Sequence, residues 1–249
     1  MRNFGVYYGW VTIIHDWSPY AFVIFADKHP SRLDRVEDLI AEVPETYFYL
    51  DALGLLPNTT TALQALLDDL EKLKVAGVFL DRLNTNELAA EVARSLLQTL
   101  NRRHFKIIAN GEVESQYFSL IDYYMVESFI ASYVGRPDKF QLEFASFTAT
   151  EAKIRSLQAD GAKLIALSYG EEGNLKKEQY CYLSAKLFGL DAFCYAHPSL
   201  MMLYEPQVHY DLGAPLDRYH LKQGMLIREF EQGIVVIDPD KRHGVVKPR

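Results

Sequence analysis

Two carboxylates in this chain stand where a β-strand would end. Residues 75–80 (VAGVFL) stop on Asp81, and residues 123–126 (YYMV) stop on Glu127. Between them, residues 104–108 run into Asn110, Gly111 and Glu112. Carboxyl groups gathered on one rim suit acid–base or nucleophilic work, because crowding raises at least one pKa and keeps that group protonated at neutral pH. Hydrolysis of a glycosidic bond needs such a pair, one member acting as acid and the other ionised as nucleophile or base. Asp81 and Glu127 are the candidate catalytic pair. Tyr7, Asp27, Asp51, Asn110, Glu112, Tyr169 and Tyr195, all near inferred strand ends, are the candidate substrate-binding residues. Glu171 and His197 are expected on the same rim.

Each assignment has a plainer rival. An Asp after a strand often only forms a turn or caps a helix, and Asp27 and Asp51 read readily that way. Asp81 does not, because Asn84 together with Glu87 already has the side-chain logic of a capping box. Glu127 closes an apolar run and precedes Ser128-Phe129, which predicts partial burial. Tyrosines at strand ends can offer apolar faces to a sugar or simply fill a core. An Asp/Glu/His cluster can bind a metal, but no HxH or HExxH spacing occurs, so neither a metal nor a cofactor is expected. There is no GxGxxG after the first strand and no GxxxxGK[ST], which removes the main support for dinucleotide or P-loop chemistry.

The elements that must position these residues alternate. Apolar runs at 4–8, 20–26, 46–50, 75–80, 104–109, 123–126, 163–168 and 192–195 read as strands. Helical spacing links most of them. It is carried by Leu33, Val36, Leu39, Ile40 and Val43, by Leu63, Leu66, Leu67, Leu70 and Leu73, and by Leu88, Val92, Leu96 and Leu100. Further helices run from Glu151 toward Gly161 and end near Gly189. Strands alternating with helices in this way predict a single α/β domain, a (β/α)8 TIM barrel whose strand tips all face one rim. No linker divides residues 1–249. The barrel is expected to reach about residue 197, with a C-terminal extension from 198. There MLIREF, Glu231-Gln232-Gly233 and IVVID predict a β-hairpin appendage, and residues 241–249 a polar tail. Residues 128–149 read as a long irregular loop, of the kind that carries function on such a rim.

Composition sets the outer bounds. Hydrophobic residues make up 49% and charged residues 24% of the 249, which describes a chain able to bury a core. A formal net charge of −7 argues against a nucleic-acid partner, which would need a basic stripe. No apolar run is long enough to span a membrane, so no membrane partner is expected. No signal peptide is visible; the sequence reads as cytoplasmic as given, and a chain trimmed of its leader would read the same. Cys181 and Cys194 fall in helical and strand patterns and read as buried free thiols. Oligomeric state is left open by the sequence.

Four motifs carry a family resemblance. GVFLD (77–81), IIANGE (107–112), DYYMVES (122–128) and REFEQGIVVIDP (228–239) resemble glycoside hydrolase family 114 and related TIM-barrel glycosyl hydrolases, whose characterised members are endo-polygalactosaminidases. The resemblance implies a barrel that hydrolyses a polysaccharide or oligosaccharide, one containing galactosamine in the characterised cases. It places the catalytic pair on Asp81 and Glu127, with Asn110 and Gly111 lining the site. Two alternatives use the same residues differently. One is a carbohydrate-binding protein on a hydrolase-like barrel that no longer turns over, and the other is a metal-dependent hydrolase on the same acidic rim.

Overall fold

The computed structural model describes residues 5–9, 20–25, 36–43, 45–55, 60–85, 90–136, 139–197 and 208–249. In chain order the elements are β1 (Gly5–Gly9), β2 (Tyr20–Phe25), α1 (Val36–Glu42), β3 (Thr46–Asp51), α2 (Ala52–Leu55), α3 (Thr60–Leu73), β4 (Gly77–Asp81), α4 (Ala90–Arg102) and β5 (Lys106–Ala109). A 3-10 turn (Ser115–Leu120) follows, then β6 (Tyr123–Val126), β7 (Ala131–Arg136), β8 (Lys139–Phe144), α5 (Phe147–Ala159), β9 (Leu164–Tyr169), α6 (Leu175–Phe188) and β10 (Ala192–Ala196). The chain closes with β11 (His220–Lys222), β12 (Met225–Phe230), β13 (Gly233–Asp238) and β14 (His243–Lys247). The strand order β1-β10-β9-β6-β5-β4-β3-β2 closes on itself, so the expected α/β barrel is the observed fold. Its strands read as continuous apolar runs because a parallel sheet covered by helices is buried on both faces. Val78, Phe79 and Leu80 of β4 are fully buried, as are Ile107, Ile108 and Ala109 of β5.

The chain divides into two compact units, Val6–Met125 with Leu157–Leu164, and Met1–Gly5 with Val126–Ser156 and Ile165–Arg249. In the first, parallel registers set Tyr49 opposite Phe79 and Asp51 opposite Asp81. α4 turns Ala93, Leu96, Leu97 and Leu100 inward. Val92, expected on that face, is 42% exposed, because the buried stripe is centred one residue further along. The proposed capping partner Glu87 lies outside the described residues.

The second unit departs more from expectation. Residues 128–149 are not an irregular loop: β7 and β8 pair as an antiparallel hairpin, Tyr133 opposite Leu142 and Gly135 opposite Phe140. The hairpin's root is stitched down. Phe129 N–H donates to the Leu167 carbonyl at 2.9 Å, and Thr150 Oγ1 donates to the Phe129 carbonyl at 3.0 Å. The C-terminal appendage is antiparallel, as expected, but it is a sheet ordered β11-β12-β13-β14 rather than a lone hairpin. The supposed polar tail supplies β14, in register with β13 through Val246–Val235.

α6 explains why that sheet is kept. It is buried nearly all round, with Tyr180, Cys181, Tyr182, Leu183, Leu187 and Phe188 each under 6% exposed, as a helix covered on more than one side must be. Cys181 and Cys194 are buried and free, and burial pushes both thiols up to about 12, so neither is a nucleophile near neutral pH. Gln179 Nε2 donates to the Gly244 carbonyl at 2.7 Å. Arg228 of β12 donates to the Lys186 and Leu187 carbonyls at the end of α6 and to the Asp217 carbonyl. A half-buried cation on a helix C-terminus satisfies carbonyls that have no helical partner and opposes the helix dipole. Arg228→Ala is expected to cost about 2 kcal/mol in chemical denaturation. Arg228→Lys should recover only part of this, because it keeps the charge without the guanidinium fork.

Candidate functional site

Asp81 ends β4, and the neighbouring strands supply what holds it. Tyr49 of β3 donates its hydroxyl to Oδ2 at 2.7 Å, and Asn110, just past β5, donates Nδ2–H to Oδ1 at 3.0 Å. The Arg82 N–H adds a bond to Oδ1 at 2.9 Å. Three donors, two on Oδ1 and one on Oδ2, fix the carboxylate's orientation. Burial, followed by its hydrogen bond to Asp81, holds the Tyr49 phenol well above its ordinary pKa, so it stays a donor across the physiological range.

The register puts a second carboxylate, Asp51, beside Asp81, and Arg82 answers it. Its guanidinium engages both Asp51 oxygens, with Nε 2.9 Å from Oδ1. The Arg82 backbone is itself left-handed, at φ 53°. A non-glycine residue there is strained, and such strain collects where a side chain must be aimed.

The adjacent loops are locked together. Leu83 N–H donates to the Asn110 carbonyl at 2.8 Å, and Asn110 N–H donates to the Leu80 carbonyl at 2.8 Å. Thr85 is buried; its N–H donates to the Glu112 carbonyl at 2.9 Å, and its hydroxyl accepts from Glu114 N–H at 3.0 Å. Tyr124 donates its hydroxyl to the Gly111 carbonyl at 2.7 Å. Gly111 itself sits at φ 130°, with the Leu83 backbone where a Cβ would be.

In the other unit, Glu127 follows β6 and repeats the pattern. Tyr169 at the end of β9 donates its hydroxyl to Oε1 at 2.6 Å. The next residue, Ser128, is again left-handed, at φ 56°. Glu127 is exposed rather than partly buried as expected, because Phe129 and Ile130 take the buried positions after the turn. Tyr133 of β7 packs edge-on against Tyr169, with centroids 4.9 Å apart at 86°. Burial, and then the negative charge of Glu127, raise the Tyr133 phenol pKa.

The other candidates fall variously. Asn110 is brought to Asp81, and Tyr169 to Glu127. Asp51 is held by Arg82. Glu112 is exposed, and its backbone rather than its carboxylate makes the contacts with Thr85. Tyr195 is buried, its hydroxyl against the Gly170 backbone. Tyr7 lies on β1; Asp27 and the Tyr7 side chain lie outside the described residues. Among the described residues no group of three or more His, Cys, Asp or Glu could hold a metal ion, and no helix is long and apolar enough to cross a membrane.

Tyr49, Arg82, Thr85 and Tyr133 are absent from the sequence reading. Tyr49 and Arg82 carried a faint signal, since each lies within two residues of a strand-end Asp.

No protein-family model matches the sequence, and no curated protein does. Solved structures are similar. The glycoside hydrolase domain of PelA from Pseudomonas aeruginosa aligns with 83% of this chain and 99% of its own, at 18% identity and a TM-score of 0.60. A variant of that domain aligns over the same shares at 17% identity and a TM-score of 0.59. The likeness shows the fold: this chain is a parallel α/β barrel similar to that of the glycoside hydrolase domain.

Proposed function

We propose that this protein is a glycoside hydrolase and that Asp81 and Glu127 are its two working carboxylates. One observation carries the reading. Each carboxylate follows or ends a strand of the parallel barrel, accepts a short bond from a tyrosine on the neighbouring strand, and precedes a left-handed non-glycine residue. Two carboxylates seated alike, on a fold shared with a glycoside hydrolase domain, suit the two tasks of glycoside hydrolysis. Asp81, surrounded by donors, takes the ionised role. It either attacks the anomeric carbon or removes a proton from the attacking water. Glu127 takes the acid role and delivers its proton to the departing glycosidic oxygen. A C–O bond breaks, water is added across it, and both carboxyl groups return to their starting states.

The motif resemblance points to galactosamine-containing polysaccharide as substrate. The test is hydrolysis of an oligosaccharide panel led by galactosamine oligomers and their N-acetylated forms. New reducing ends that accumulate with enzyme and time support the proposal. Saturable binding without turnover would make the chain a carbohydrate-binding protein instead.

The tyrosines give a graded check. Tyr49→Phe and Tyr169→Phe each remove one donor from a carboxylate while keeping the ring. Each is expected to lower kcat about tenfold with little change in KM, since a single hydrogen bond to a charged group is lost.

A further inference from the structure

We propose that the β7–β8 hairpin forms the substrate-binding wall beside Glu127, with Tyr133 and Phe140 packing against a sugar ring bound there. The proposal rests on the glycoside hydrolase reading and adds the specificity residues on the Glu127 side.

The hairpin's pleat sorts its residues cleanly. Cross-strand partners share a face, so Ala131 with Phe144, Tyr133 with Leu142, and Gly135 with Phe140 form one face. Ser132, Val134, Arg136, Lys139, Gln141 and Glu143 form the other. The first face is aromatic and aliphatic, while the second is mostly polar and charged.

Along the first face the rings change their work. Phe144, at the root, is used up in structure: Arg242 lies over it at 4.6 Å, Lys177 at 5.1 Å, and Tyr180 packs on it at 5.9 Å. Tyr133, in the middle, stands edge-on to Tyr169, whose hydroxyl holds Glu127. Phe140, toward the tip, meets His197 just past β10, with centroids 4.9 Å apart at 81°. Tyr133 and Phe140 remain partly exposed, unlike the buried Tyr169 and Tyr195.

A two-stranded hairpin does not stabilise itself in water. Its root is therefore anchored on β9 and α5, and its apolar face is turned along the strand ends that carry Glu127, Tyr169 and His197. Partly exposed aromatic rings there are not required by the core. They match an amphipathic ligand whose C–H face is apolar and whose rim is hydroxylated, as a pyranose is. The depth of the anchoring predicts a wall already in place before substrate arrives.

The test measures kinetics and binding for the full chain carrying Tyr133→Ala, Tyr133→Phe or Phe140→Ala, on the same galactosamine oligomers, with thermal melts alongside. Tyr133→Ala is expected to raise KM about tenfold and Phe140→Ala about threefold, each more than it lowers kcat. Tyr133→Phe should recover most of the lost affinity, because the ring rather than the hydroxyl makes the contact. A tyrosine that merely supported Tyr169 would instead lower kcat or stability and leave KM alone. Parent turnover with KM unchanged in both alanine variants overturns the wall and leaves the hydrolase reading standing. If the parent does not turn over, the hydrolase reading fails and the wall is judged by titration with the same oligomers. Parent binding weakened by Tyr133→Ala sustains it, and binding that is absent or unaffected ends it.

Discussion

Glu127→Gln and Asp81→Asn are each expected to lower kcat about 100-fold or more, with the folded structure intact. Either amide keeps the shape of the side chain and removes its task, proton delivery for Glu127 and nucleophilic or basic attack for Asp81. A positioned acid or base contributes in the transition state rather than in the ground state, so the loss falls on kcat and KM moves little. Glu127 is exposed and leaves no cavity, and its amide still accepts the Tyr169 hydrogen bond, so its melting temperature should hold. Asp81→Asn tests more. The amide must face Asn110 Nδ2 and the Arg82 N–H on one side and the Tyr49 hydroxyl on the other, and its new N–H₂ cannot accept from any of them. A stability loss of about 1 kcal/mol is expected there, small beside the kinetic effect. Turnover unchanged in both variants would remove these residues from the mechanism.

Gly111→Ala should damage stability and activity together. The position is at φ 130°, and a Cβ would stand 2.7 Å from the Leu83 carbonyl oxygen and 2.9 Å from its nitrogen. Those are backbone atoms, fixed by the bond from Leu83 N–H to the Asn110 carbonyl, so they cannot swing aside as a side-chain tip would. Strain and clash together should cost about 3 kcal/mol, or roughly 10 °C in the melting temperature. Moving this turn also moves Asn110, so kcat should fall about tenfold even where the protein remains folded. Gly161→Ala is the control. It carries the same kind of backbone, at φ 88°, but nothing lies within 4 Å of the added carbon. It should cost about 1 kcal/mol and leave kcat alone. Equal effects from the two substitutions would mean that the packing between the two loops is not what Gly111 protects.

The strands that carry Asp81 and Glu127 were legible because a parallel strand buried on both faces must be apolar throughout, and the first polar residue marks its end. Asp81, Asn110 and Glu127 were therefore placed on strand ends by local pattern alone. The β7–β8 hairpin had a readable signal as well, since KFQLEF alternates with a strand's period of two, but its position after a barrel strand favoured a loop. β14 was unreadable for a different reason. A five-residue strand with only two apolar side chains, Val245 and Val246, is stabilised by its hydrogen bonds to β13, and nothing in residues 241–249 announces that partner.

What the sequence by itself determined is the alternation of elements, the barrel, and the identity of the strand-end carboxylates. All of these follow from burial and from chain direction. What only the tertiary structure decided is which groups meet those carboxylates. Tyr49 reaches Asp81 from the next strand, Arg82 pairs with Asp51, and Tyr133 comes to Tyr169 on a hairpin. The first two contacts depend on the register between neighbouring strands and the third on where the hairpin is anchored, and no local pattern encodes either.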